Sequence, residues 1–288
     1  MNEQTMARDN LWKKAFRKFL RDRIGMLSLL VVTIYGVVAL GVVLGLWAQD
    51  WDELLTEERV GPSMQYWFGT NINGQDVYQR AIYSTKTAFQ VGMVVALVAT
   101  ALGALAGCLA GFFSGRWIDE VILWLMGSID CIPFYLFVAA VGFAMQESEY
   151  AMHVAMITTF WTGSGRLVRG EVIKLKNLEF VEACRAIGVP SFGIIFKHIL
   201  PNTFHILLVE ATITFVGAIK SEVILSFLGL GVKEGISWGL MIAEASQEVS
   251  AGIYNNFIAA SAFLFVLVMA FNLFSDSLQD ALDPRKVH

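Results

Sequence analysis

The sequence predicts an all-α, polytopic membrane protein with six transmembrane helices. Two observations carry this. Of the 288 residues, 56% are hydrophobic and 16% charged, with a mean hydropathy of +0.59, whereas soluble domains run at about 45–50% and 25%. The apolar residues also lie in long uncharged runs instead of alternating with polar ones, which makes lipid the solvent. This excludes a disordered chain or an ordinary soluble domain. The net charge of -4 and pI near 5.6, with no basic surface beyond the N-terminus, argue against a nucleic-acid partner.

A helix needs about 20 apolar residues to cross the bilayer core. Three charge-free runs meet that length: 24–49, 87–115 and 249–275. Three weaker ones carry charge: 121–146 holds Asp130, 150–168 holds Arg166, and 206–231 holds Glu210, Lys220 and Glu222. The expected division is an N-terminal segment over 1–23, a first span over 24–48, an external loop over 49–86, and a core of five further spans over 87–288. The first run is too long for the h-region of a cleaved signal peptide and is expected to stay as an anchor.

Seven bases against three acids precede the first span, and six acids against three bases fill 49–86. The positive-inside rule places the N-terminus in the cytoplasm. Six crossings bring the C-terminus there too, along with the basic segment 169–204 between spans four and five. Leu11, Trp12, Ala15, Phe16 and Phe19 recur at helical spacing among the N-terminal bases, the pattern of an interfacial amphipathic helix or of a simple charged anchor.

Within the spans, Gly103, Gly107 and Gly111 line one helix face for close packing, in this chain or against a partner. Charge inside a membrane is costly and faces a cavity, a partner or a pathway, so Asp130, Glu210, Lys220 and Glu222 are candidate pathway groups. Glu222, close in sequence to Lys220, is expected to bear on transport more than Asp130. Cys108, Cys131 and Cys184 show no CxxC spacing and suggest neither a disulfide frame nor a metal site.

The segment from Asn177 to Pro190 is punctuated as a short helix. Asn177 is expected to cap it, Glu179 falls in its first turn, Gly188 ends it, and Pro190 prevents its continuation. Phe180, Val181, Cys184 and Ile187 share one face, while Glu179, Glu182 and Arg185 occupy another. An apolar face of this kind packs on a protein partner or under its own bundle. A second helix is expected from 191 to 200, stopped by Pro201.

These residues resemble a known family. Glu182-Ala183-Cys184, then Gly188, then Leu200-Pro201 resembles the EAA loop of ABC importer permeases, with Cys184 in place of the second alanine and His198 where isoleucine is usual. The motifs around it are similar to those of the second permease subunit of dipeptide, oligopeptide and nickel importers. They are Trp67-Phe-Gly-Thr70, Gly74-Gln-Asp76, Arg166-Leu-Val-Arg-Gly170, Ser226-Phe-Leu-Gly-Leu-Gly231, Ser237-Trp-Gly239 and Asp280-Ala-Leu-Asp-Pro-Arg285. Gln75 stands where that group usually has arginine.

The resemblance implies a multi-pass protein of the bacterial inner membrane that pairs with a homologous permease and receives peptides from an external binding protein. Two cytoplasmic ATPases would bind ATP and magnesium and dock on Glu179, Val181, Glu182, Ala183, Cys184, Arg185, Ala186, Gly188 and Pro201. No lysine follows a glycine in the sequence, so there is no GxxxxGK[ST] phosphate loop, and this chain is expected to be a non-catalytic subunit without a cofactor of its own. The alternative is an ion-coupled secondary transporter using the intramembrane carboxylates. A membrane hydrolase finds no HExxH or GxSxG motif.

Overall fold

The computed structural model describes residues 13–54, 59–145 and 148–282. Their regular structure is helical, and apart from one antiparallel bridge between Thr70 and Asp76 they form no strand. In chain order the helices are α1 (13–21), α2 (Arg23–Val43), α3 (Val77–Phe112), α4 (Trp117–Asp130), α5 (Phe134–Ala144), α6 (Ala151–Leu175), α7 (Glu179–Ala186), α8 (Ser191–Phe227), α9 (Trp238–Ser250) and α10 (Asn255–Leu282). Leu11 and Trp12 of the expected amphipathic helix, and the motif residues beyond Leu282, lie outside the described residues.

By length and composition α2, α3, α8 and α10 can cross a membrane, and the bent pair α4 and α5 makes a fifth candidate. The expected sixth would be α6. It is 25 residues long, but His153, three threonines, Ser164 and Arg166 dilute its apolar content, and it falls outside that set.

Several expected boundaries are corrected. Helix α3 begins ten residues before the charge-free run, inside what was expected to be external loop. Asp76 caps it by accepting from the Tyr78 amide at 2.8 Å. Arg80 and Lys86, which break the run in the sequence, are accommodated by Glu244 and by the Tyr83 ring. The single span expected over 121–146 is two helices meeting at 89°. Pro133 has no amide to continue the ladder and forces the residue before it out of helical geometry, so α4 closes at Cys131 and α5 restarts from the Pro133 carbonyl.

Pro201 does not stop a helix. Helix α8 runs straight through it because residues Ile195–Ile199 widen into a π turn, with the Leu200 amide donating to the Ile195 carbonyl. That shift relieves the clash a proline makes with the carbonyl four residues back. The last span begins at Asn255, six residues later than the run suggests, because α9 ends in a turn at Gly252 (φ +77°).

The chain divides into two compact units. In the first (Met1–Gly92 with Val216–His288), α2 lies along α10, with the Tyr35 hydroxyl donating to the Phe263 carbonyl at 3.0 Å. Ala15 and Phe19 of α1 are buried, Phe19 edge-on to Phe274, so α1 seats on α10, while Phe16, expected beside them, is exposed. The Trp238 indole donates to the Ala81 carbonyl, pinning α9 to α3. In the second (Met93–Phe215), the end of α3, together with α4, α5, α7 and the start of α8, packs around α6. The glycine stripe finds its partner there. A Cβ on Gly103 would stand 2.6 Å from Ser164 Cβ, one on Gly107 2.5 Å from the Gly165 carbonyl oxygen, and one on Gly111 2.7 Å from Val172 Cβ. The close packing is therefore internal to this chain.

Candidate functional site: the α7 platform and the intramembrane charges

Helix α7 starts without a side-chain cap. Leu178 occupies the capping position, and Asn177, expected there, bonds back to the Ile173 carbonyl at 3.1 Å as a last turn of α6. The C-terminus behaves as its residues dictate. Gly188 adopts φ +79°, its amide donates to the Arg185 carbonyl, and the Val189 amide reaches the Cys184 carbonyl, both at 3.0 Å. This is the glycine-dependent Schellman stop. A Cβ at Gly188 would meet nothing within 4 Å, so backbone conformation alone requires glycine there.

The apolar face of α7 is covered by its own unit. Val181 is fully buried with Cys108, Val168, Val172, Ile194, Ile195 and Ile199, and Phe180 and Cys184 pack at the edge of that cluster. Burying one such side chain stabilises the seat by about 1.5–3 kcal/mol. Val181 therefore anchors the helix from below, and Cys184 is half-buried. The surface offered outward consists of Glu179, Glu182, Ala183, Arg185, Ala186 and Gly188. Ile187 is the exception on the apolar face, 80% exposed, and Phe192, stacked on Phe196, extends the exposed apolar strip. Phe192 was not singled out in the sequence, although its place one residue after the expected start of the second helix was a usable signal. Pro201 is half-buried within α8.

Two cations tie this platform to the end of α3. The Arg185 guanidinium lies over the Phe112 ring at 5.6 Å instead of pairing with Glu182. Lys176 donates to the Phe112 carbonyl at 3.4 Å and to the Ser114 hydroxyl, completing the C-terminus of α3. Burial, then repulsion from Arg185, pushes the Lys176 ammonium below its usual pKa.

The four intramembrane charges have separate surroundings, two in each unit. Asp130 closes α4, accepting from the Thr162 hydroxyl at 2.8 Å and from the Arg166 guanidinium. Glu210 accepts from Ser164 at 3.3 Å. Glu222 is fully buried and bonded to Ser226, whose hydroxyl lies 3.2 Å from that of Ser237, the N-cap of α9. Lys220 is exposed and points away from Glu222. Of the four, only Asp130 and Lys220 are open. Two arginine pairs went unread in the sequence: Arg166 with Asp130, and Arg169, which grips the buried Asp119 through two bonds of 2.7 and 2.9 Å. Both arginines stand inside the Arg166-Leu-Val-Arg-Gly170 motif, which was the available signal.

The motifs of the first unit also acquire physical reasons. Gly69 (φ +71°) sits where a Cβ would strike the Val60 carbonyl oxygen at 2.6 Å, and Gly239 packs directly on Ser226 and Val223. Gln75 takes Arg80 and Asn71 on its side-chain oxygen and donates to the Asp52 carbonyl, so it knits the turn together.

The sequence as a whole is similar to known proteins. Residues 99–288 match the family described as binding-protein-dependent transport system inner membrane component. A dipeptide transport system permease protein of Bacillus subtilis is 34% identical over 275 residues, covering 94% of this chain and 85% of that protein. An oligopeptide transport system permease protein of the same organism is 30% identical, covering 96% and 90%. A glutathione transport system permease protein of Pectobacterium atrosepticum is 31% identical, covering 95% and 91%. With an all-helical membrane fold, a capped α7 on its buried seat and likeness over nearly the whole length, this chain belongs to the binding-protein-dependent transport inner membrane components, the permease subunits of ABC transporters.

Proposed function

We propose that this chain and a homologous second permease form the pathway of an ABC importer for di- or oligopeptides, in the inner membrane of a bacterium and in contact with its lipid. An external binding protein delivers the peptide, two cytoplasmic ATPases bind ATP and magnesium, and both termini of this chain face the cytoplasm. The observation that carries the reading is α7: a short helix rigidly seated through Val181, stopped at Gly188, and presenting Glu182, Ala183, Arg185, Ala186 and Ile187 outward. Such an element transmits a push from a docked ATPase to α6 and α8 as a unit, since its seat is shared with both. The relatives' names support a peptide cargo and favour the ATP-driven reading over an ion-coupled one.

The test is copurification in mild detergent followed by an ATPase assay. The tagged chain is expected to bring a second polytopic subunit and two nucleotide-binding chains. Glu182→Arg and Gly188→Arg are expected to abolish ATP-driven uptake while the chain still inserts. Recovery of the chain alone, active in proton-driven liposomes, would sink the proposal.

A further inference from the structure

Asp130 and Arg166 form an ion pair between α4 and α6 that is open where the other pair joining those helices is closed. Its side chains are 36% and 46% exposed, whereas Asp119 under Arg169 is 4% exposed. The pair also lies away from the ends of α6: Asp130 accepts from Thr162, the twelfth of the 25 residues of that helix. A half-open charge pair is costly against lipid, at several kcal/mol for each charge. It faces water, cargo or protein.

The backbone around it is bare. Gly163, Arg166 and Gly170 fall on one face of α6 at spacings of three and four, and Gly127 precedes Asp130 by one turn of α4. A Cβ on Gly127, Gly163 or Gly170 would meet nothing within 4 Å, in contrast to Gly103, Gly107 and Gly111 of α3, each of which is pressed against a neighbour. A glycine inside a helix costs roughly 0.5–1 kcal/mol against alanine, and no contact in this unit requires these three. These open glycines lie on the same two helices as the Asp130–Arg166 pair.

From this geometry we propose that Arg166 and Asp130 line the transport pathway and receive the charged termini of the peptide, Arg166 taking the α-carboxylate and Asp130 the α-ammonium. This rests on the peptide-importer reading above. A guanidinium binds a carboxylate through two parallel bonds, and the glycines leave room for the peptide backbone beside it. Thr162 matters to the exchange because its hydroxyl still donates to Asp130 when Arg166 turns to the cargo. The pair is neutral as a whole and so is a zwitterionic peptide, so one ion pairing replaces another with no net charge buried. Glu222, buried among serine hydroxyls, has no such opening.

The test uses the whole importer with its binding protein in proteoliposomes, a mixture of alanine di- to pentapeptides as probe, and a chain with Cys131 replaced by serine, whose own labelling is subtracted. Gly163→Cys is expected to react with a charged methanethiosulfonate reagent, and peptide-loaded binding protein with ATP is expected to slow that reaction at least fivefold. Arg166→Gln is expected to raise the KM for import about tenfold while its partner chains still copurify. The double exchange Asp130→Arg with Arg166→Asp, which keeps an ion pair, is expected not to restore import. No labelling of Gly163→Cys, labelling indifferent to peptide, or rescue by the double exchange would overturn the proposal in favour of a partner helix on this face or a purely structural pair. A wild-type importer that takes up none of the probe peptides would overturn the peptide reading itself, and that control separates the two failures.

Discussion

Gly107 of α3 lies against Gly165 of α6 so closely that a Cβ on Gly107 would stand 2.5 Å from the Gly165 carbonyl oxygen. The neighbour is backbone and cannot rotate away, so the helices themselves would have to part. Gly107→Ala is expected to destabilise the purified protein by about 1–3 kcal/mol, the range for overpacking a tight core, and Gly107→Val by more. Gly142→Ala on α5 is the matched control, since its added Cβ meets nothing within 4 Å. That change is expected to be neutral or to stabilise by up to about 1 kcal/mol through helix propensity. Thermal denaturation in detergent, read side by side, checks both.

The two faces of α7 separate in the same way. Val181→Asp would bury a carboxylate in an apolar cluster and is expected to lower expression and melting temperature sharply. Ile187→Asp changes a side chain that is already 80% exposed. It is expected to leave the melting curve within about 0.5 kcal/mol of wild type, as for surface substitutions generally, while weakening capture of the ATPase chains in copurification. Equal melting losses for the two variants would contradict this division of the helix into seat and surface.

Much of this was legible in the residues because hydropathy and punctuation are local. The runs behind α2, α3 and α10, the stop at Gly188 and the close-packing face at Gly103, Gly107 and Gly111 all follow from a few neighbours in the chain. Other features are not local. Whether Pro201 ends a helix depends on whether the turn before it can widen, and the Ile195–Ile199 segment does so while its own Ile195 and Ile199, with the neighbouring Ile194, are buried in the α7 seat. Arg80 looked like the end of an apolar run because its partner Glu244 is 164 residues away. The same distance effect hid Arg166 from Asp130. Charges read one at a time along a sequence look like candidates for function until the fold shows which of them are already satisfied.

Glu222 illustrates the point and can be tested. Glu222→Gln keeps an acceptor for Ser226 at the same place, so stability and uptake are expected to stay near wild type. Glu222→Leu takes the carboxylate acceptor from the buried Ser226 hydroxyl, at about 1–3 kcal/mol for a group left unsatisfied. It is expected to show as a loss of folded protein. A glutamine variant that folds normally but does not transport would instead return Glu222 to the pathway.

Asp76 offers a prediction in pH. It caps α3 from a buried position, accepting from the Tyr78 and Gln79 amides, yet burial outweighs those bonds and raises its carboxyl above the ordinary aspartate value. A carboxyl raised on folding favours the folded state in its protonated form. Its contribution is therefore greatest below the unfolded value of 3.8 and is lost as the pH rises through the folded one. Asparagine presents the same capping oxygen without the charge. Asp76→Asn is accordingly expected to match or exceed wild-type stability at pH 7, with the advantage shrinking as the pH falls toward 4. Asp76→Ala, which removes the cap altogether, is expected to lose about 1 kcal/mol at either pH. Melting curves of the three proteins at pH 4, 5 and 7 decide the matter: an asparagine variant that gains on acidification would show that the backbone bonds, and not burial, set the charge of this cap.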